Sequence, residues 1–346
     1  MTTQPVRPSQ HAPSARPAAL LAMSSGLDAE LFTPEQRRRL GGLVTLLAES
    51  AVPDLGAVPD ETAARVEILV TGWGAPRIDA SVLGRMPRLR AIVHTAGTVA
   101  PFVGRAVWER EDIVVSTAAQ ANAVPVAEYA LAQILLAGKR SVARSADHRR
   151  ARGREGAWTA TGRTGSYGAV VGLIGASRTG RLTAEHLQRF DIEVLVHDPF
   201  AGAEEIAALG ARKVDLEELF RASDVVSLHA PDVPSTRGMI TAEHFALMRE
   251  GTTFLNTARP ALVDEDALRA ELVSGRISAV LDVHDDLAPD DPLWDLSNVQ
   301  LTPHIAGSQG NELHRLADSA LEELGRLSRG ETPLHALDRS RLDITA

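Results

Sequence analysis

Between Ala169 and Val283 the chain repeats one alternation. Five short apolar runs, "AVVGLIG", "IEVLVHD", "DVVSLHAP", "TTFLNTA" and "ISAVLDV", are separated by helical stretches such as Arg178–Phe190 and Asp264–Ser274. Runs of this length joined by helical crossovers are the strands of βαβ units, and they build a parallel sheet. A further run, "VQLTPH", leads into a helix over Asn311–Leu327, where Leu313, Leu316, Ala320, Leu321 and Leu324 follow a 3.6-residue period. Upstream, "VEILVTGW", "LRAIVHTAG" and "DIVVST" read as strands of a smaller unit of the same kind, with Asp79 capping the helix "DASVLGRMP". "VPVAEYALAQILLAGKRSVAR" (Val124–Arg144) reads as one long buried helix, and the arginine- and glycine-rich stretch after it as a solvated helix end and a loop.

The expectation is therefore an α/β protein of two Rossmann-like, doubly wound parallel-sheet domains. The chain's 346 residues, 44% of them hydrophobic, suffice for two such cores. With 36 basic against 45 acidic side chains, the net charge of −9 disfavours nucleic acid or an anionic membrane as partner. The absence of cysteine excludes disulfides, thiolate metal centres and a cysteine nucleophile. No apolar run is long enough to span a bilayer, and residues 1–18 read as a disordered tail without the apolar stretch of a secretory signal, so a cytoplasmic location is expected.

The turn "VVGLIGASRTGR" (Val170–Arg181) carries the first chemical signal. It has the strand–turn–helix setting of a dinucleotide site, in which Gly175 takes the tight turn, Gly180 allows close packing, and the helix start offers amides to a pyrophosphate. Ser177 stands where a second glycine is usual; its hydroxyl is able to donate to a phosphate oxygen in return. Asp198 ends the next strand, 18 residues after Gly180, close to the roughly 20 expected of an acid that accepts ribose hydroxyls. That carboxylate repels a 2′-phosphate, so NAD is preferred to NADP.

Arg259, the acids after "AVLDV" and His304 follow three successive strands, at the strand ends where open α/β sheets bind ligands. An arginine fork holds a carboxylate and polarises a carbonyl; a histidine exchanges a proton with the carbonyl oxygen; an adjacent acid keeps that imidazole protonated. In the order "GLIGASRTGR", "VLVHDPF", "NTARPALVDEDAL", "LDV" and "LTPHIAGS", with the helix "NAVPVAEYALAQILLAGKR", the chain resembles the D-isomer-specific 2-hydroxyacid dehydrogenases from about Ile68 to Arg329.

The resemblance implies catalytic roles for Arg259 and His304 and NAD as cofactor, held by Gly175, Ser177, Arg178, Thr179, Gly180, Asp198, His229, Pro231, Thr257 and Asp282. It implies that Asp282 meets the nicotinamide carboxamide and that the loop Thr95–Val99, with Thr95, Ala96, Gly97 and Thr98, binds the substrate carboxylate. It implies a homodimer, a small 2-keto or 2-hydroxy acid as substrate, and a discontinuous substrate domain (19–123 and 308–346) into which the cofactor domain (124–307) is inserted. No metal site is expected, because no pair of histidines or acids at ligand spacing has a third to support it.

Three departures stand out. Ser177 replaces a glycine, Pro260 follows Arg259 where glycine is usual, and the segment after "LDV" is about two residues short and lacks the family's glutamate. Asp286 is the first candidate to replace that acid beside His304, with Asp285 second. Two alternatives stay open from the sequence: an NAD(H)-sensing regulatory protein with little turnover, and a dehydrogenase of the phosphoglycerate type. His94, His197 and His284 read as packing or hydrogen-bonding residues, and Tyr129, Trp108 and Phe102 as ordinary core.

Overall fold

The structure is a computed structural model that describes residues 16–153, 164–284 and 287–339. It contains two parallel sheets and divides into two units. One runs through Ala118 and takes up Leu316–Leu337; the other is Ala119–Arg315 with the residues from Asp338.

The first unit has five strands, β1 (Ala18–Ala22), β2 (Thr45–Leu46), β3 (Ile68–Thr71), β4 (Ala91–His94) and β5 (Val114–Thr117), in the order β2-β1-β3-β4-β5. Every residue of β3 and β4 is buried. Strands covered on both faces are apolar throughout, and "ILVT" and "AIVH" meet that demand. Strand β1 lies between β2 and β3 and begins inside the segment expected as a tail. The amide of Thr45 donates to Pro17 O at 2.9 Å, so the sheet already holds residue 17. Asp79 caps its helix as expected, accepting from the amides of Ser81 and Val82.

The second unit has seven strands: β6 (Ala169–Ile174), β7 (Ile192–His197), β8 (Arg212–Lys213), β9 (Val225–Leu228), β10 (Thr253–Asn256), β11 (Ser278–Leu281) and β12 (Val299–Leu301). Their order is β12-β11-β10-β9-β6-β7-β8, all parallel, with the chain reversing its direction of build between β6 and β9. Side chains alternate across this sheet. Val171, Leu173, Val194, Val196, Leu255 and Val280 pack on one face; Ile174, Leu195, Val226, Leu228, Phe254 and Leu281 pack on the other. On the second face Phe245 meets Phe254 and Phe220 edge-on, with centroids 5.3 and 6.3 Å apart.

The long helix departs from expectation. It runs over Ala119–Gly138, with Pro125 inside it, and ends where Arg140 adopts φ +51°. A separate helix over Ser141–Ala151 follows, none of whose residues is buried. The single element expected over Val124–Arg144 is thus two, because a left-handed residue cannot continue a right-handed helix.

Candidate functional site

The turn after β6 fits a dinucleotide. Gly175 has φ +98°, and a Cβ there would lie 2.7 Å from the amide nitrogen of Ala230. At Gly180 a Cβ would lie 2.0 Å from Gly175 O, so only glycine lets the helix start this close to the strand. Ser177 is the N-cap of the Arg178–Leu187 helix, and its Oγ accepts from the Gly180 amide at 3.3 Å. The substitution for glycine is therefore a capping residue, and the hydroxyl proton remains available to an anion. Arg178 is exposed and Thr179 half-buried on the same first turn.

Asp198 follows β7. Its Oδ2 accepts from the Ala176 amide at 2.7 Å; its Oδ1 accepts from the amides of Phe200 and Ala201 at 2.8 and 2.9 Å. A carboxylate has about four acceptor positions. Three are filled in joining the two turns, and one, on Oδ2, is left for a ligand hydroxyl.

His229 follows β9 and is buried beneath the glycine turn, its Nε2 2.8 Å from Ser227 Oγ. Desolvation pushes its imidazole down to about 4, so it is neutral at physiological pH. What this segment offers a cofactor is backbone and the half-buried Pro231, whose carbonyl accepts from Thr236 Oγ1 at 2.6 Å.

Adjacent strands β10, β11 and β12 end in Thr257–Arg259, Asp282 and Thr302–Ala306. Neighbouring strands lie about 4.8 Å apart, so the three ends span about 10 Å. Thr257 is buried, and its hydroxyl has no hydrogen-bond partner among the described residues. Arg259 is half-buried, with Nη1 donating to Ala258 O at 2.6 Å; Asn256 Nδ2 donates to Arg259 O at 3.2 Å. Pro260 opens a short 3-10 turn.

Asp282 is 1% exposed, and three of its carboxylate's roughly four acceptor positions go to the loop that carries His304. Oδ1 accepts from Thr302 Oγ1 at 2.6 Å and from the Ile305 amide at 2.8 Å, and Oδ2 accepts from the Ala306 amide at 2.9 Å. The His304 amide donates to Asp282 O at 2.9 Å. His304 itself is exposed and has φ +56°, one of three non-glycine residues in the left-handed region among those described. Asp285 and Asp286, the candidates for its acid partner, lie outside the described residues.

In the first unit, the loop Thr95–Val99 follows β4. Thr95 is pinned to Thr71 O through both its amide and its hydroxyl, at 2.8 and 2.9 Å. The amides of Ala96, Gly97, Thr98 and Val99 donate to no group among the described residues, although Ala96 and Val99 are buried. Consecutive unpaired amides form a concavity suited to an anion. Below the loop His94 is held by Thr71 Oγ1 at 2.9 Å, and burial pushes it to about 4.

Sequence reasoning missed the helix residues that hold the His304 loop. Tyr129 Oη lies 3.1 Å from Thr302 Oγ1, and Asn122 Oδ1 accepts from the Ser308 amide at 3.1 Å. The two residues are seven apart on one helix face. Their spacing was visible, but the loop they meet is more than 170 residues away in sequence.

The NAD-binding domain of the D-isomer specific 2-hydroxyacid dehydrogenases matches residues 135–306. Hydroxypyruvate reductase of Thermotoga maritima is 32% identical over 266 residues, covering 72% of this chain and 84% of that protein. The chain belongs to the D-isomer specific 2-hydroxyacid dehydrogenase family. D-3-phosphoglycerate dehydrogenase of Mycobacterium tuberculosis is 32% identical over 281 residues, 80% of this chain but 51% of that one. The chain thus spans about half the length of the phosphoglycerate dehydrogenases it matches. Among solved structures, a phosphoglycerate oxidoreductase from Rhizobium etli superposes with a TM-score of 0.76 at 28% identity, covering 93% of this chain and 98% of the other. For this 2-hydroxyacid dehydrogenase family member, the glycine turn closed to any Cβ, the open acceptor on Asp198 and the unpartnered Thr257 hydroxyl all fit NAD.

Proposed function

We propose that the protein interconverts a 2-keto acid and the D-2-hydroxy acid. The observation that carries this reading is the alignment of Arg259, Asp282 and His304 at the ends of three adjacent strands, in the same sheet as a turn that fits NAD. When bound, NAD supplies or accepts the hydride at the substrate's C2. Its pyrophosphate is held by the helix start at Ser177, Arg178, Thr179 and Gly180, its ribose by Asp198, and its nicotinamide side by Pro231, Thr257 and Asp282.

Arg259 binds the substrate's carboxylate and polarises its carbonyl; a planar fork does both where an ammonium cannot. The amides of Ala96, Gly97, Thr98 and Val99 take the carboxylate as an anion. His304 gives its proton to the carbonyl oxygen during reduction and removes it in the reverse direction. Asp286, or Asp285, takes the place of the family's glutamate as the acid that fixes the imidazole's tautomer. The resemblance also carries over a homodimer, and the reading of the sequence a cytoplasmic location. Among the described residues no helix is long and apolar enough to cross a membrane.

The test is steady-state NADH oxidation against glyoxylate, pyruvate, hydroxypyruvate and longer 2-keto acids, beside Arg259→Lys and His304→Ala. Turnover is expected to vanish with His304→Ala and to fall about 100-fold in kcat/KM with Arg259→Lys. Tight NADH binding with no turnover on any keto acid would favour a sensor instead.

A further inference from the structure

We infer that Tyr129 is a positioning residue for this reaction, its phenol O–H acting through Thr302 and Asp282 to hold the turn that presents His304. The inference rests on the reading above only in giving His304 its catalytic role.

The direction of the relay follows from proton counting. A carboxylate only accepts, so the 2.6 Å contact of Thr302 Oγ1 with Asp282 Oδ1 uses the one proton of the threonine hydroxyl. The 3.1 Å contact between Tyr129 Oη and Thr302 Oγ1 therefore has tyrosine as donor. Polarised in this way, Thr302 becomes the stronger donor to Asp282. Desolvation raises the Tyr129 pKa, which keeps the phenol protonated as a donor, while the amides of Gln133 and Gln300 stand beside the same oxygen.

Asp282 needs the relay because of what it holds. Its two oxygens accept from Ile305 and Ala306, the residues immediately after His304. His304 sits at φ +56°, a left-handed conformation that is costly for a non-glycine residue and persists only when its surroundings fix it. The same helix reaches the far side of the loop, where Asn122 accepts from the Ser308 amide. The segment 302–308 is thus held at both ends from one helix face, with Tyr129 controlling the end nearer His304.

The experiment compares Tyr129→Phe, Thr302→Val, Thr302→Ser and the Tyr129→Phe/Thr302→Val double variant. Two readouts are taken: hydrogen exchange in peptides covering 303–308, and kcat and KM with NADH and the best keto acid. Tyr129→Phe is expected to speed exchange at the Ile305 and Ala306 amides and to lower kcat, each about tenfold, with KM for NADH within twofold of wild type. Thr302→Ser should stay near wild type in both readouts. The double variant should equal Thr302→Val alone, because Tyr129 acts only through that hydroxyl. Additive losses in the double variant, or unchanged exchange in Tyr129→Phe, would overturn the inference. If wild-type protein reduces no keto acid, the proposed reaction fails, and the exchange data still decide whether Tyr129 holds the loop.

Discussion

The His304 amide donates to Asp282 O at 2.9 Å, and the carboxylate of that same aspartate accepts the next two amides along the chain. One buried acid thus shapes the backbone on which the proposed proton donor sits. Asp282→Asn keeps the size but turns one acceptor into a donor facing an N–H or a hydroxyl. The expected outcome is a kcat about 100-fold lower and a loss of about 2 kcal/mol in stability, read by steady-state kinetics and urea unfolding.

Asp198 ties Ala176 to Phe200 and Ala201 and keeps one acceptor position open. Wild-type protein is expected to bind NADH at least tenfold more tightly than NADPH, because a 2′-phosphate would face this carboxylate. Asp198→Asn should weaken NADH binding about tenfold and narrow the preference, as measured by fluorescence titration with both nucleotides. Equal affinity of the wild type for both would contradict the role given to Asp198.

Ser177 and Gly180 separate a tolerated change from a forbidden one. Ser177→Gly should cost only a few tenths of a kcal/mol and leave NADH affinity nearly unchanged, whereas Ser177→Ala loses the cap, at about 1 kcal/mol. Gly180→Ala places a methyl group 2.0 Å from Gly175 O, and it should abolish NADH binding and lower Tm. Thermal scans with and without NADH distinguish the three.

His94 and His229 set the response to acid. Both are pushed by burial from about 6.5 down to about 4. Between these values the unfolded chain binds protons that the folded chain does not, so stability is full above pH 6.5 and falls as the pH drops towards 4. At pH 5 the loss is of order 2 kcal/mol for each residue. Urea unfolding at pH 7.5 and pH 5 should show the fall, and His229→Asn should reduce it to about half, the part that His94 contributes.

Much of this was legible because the signals are local. Gly175, Ser177, Gly180 and Asp198 lie within one βαβ unit, and the residues that follow each strand inherit their position from it. Strand β1 was not legible, since "AALLA" has no β-branched residue to mark it as a strand; its burial between β2 and β3 decides its conformation. The break at Arg140 was passed over although Gly138 stands at the helix end, because the apolar run around it reads as one continuous helix and the left-handed residue is an arginine. The partners of His304 were half legible. Asp282 was expected to meet the cofactor, and the structure spends most of its carboxylate on the loop. Thr302 and Tyr129 went unrecognised because the contact exists only after the sheet and helix have packed.

The most direct measurement follows deuterium from C4-deuterated NADH into product, with wild-type protein and with His304→Ala, on the keto acid that is reduced fastest. The account predicts deuterium at C2 of a product of D configuration with the wild type and essentially no product with the variant. Product of L configuration, product without deuterium, or undiminished turnover in His304→Ala would contradict it.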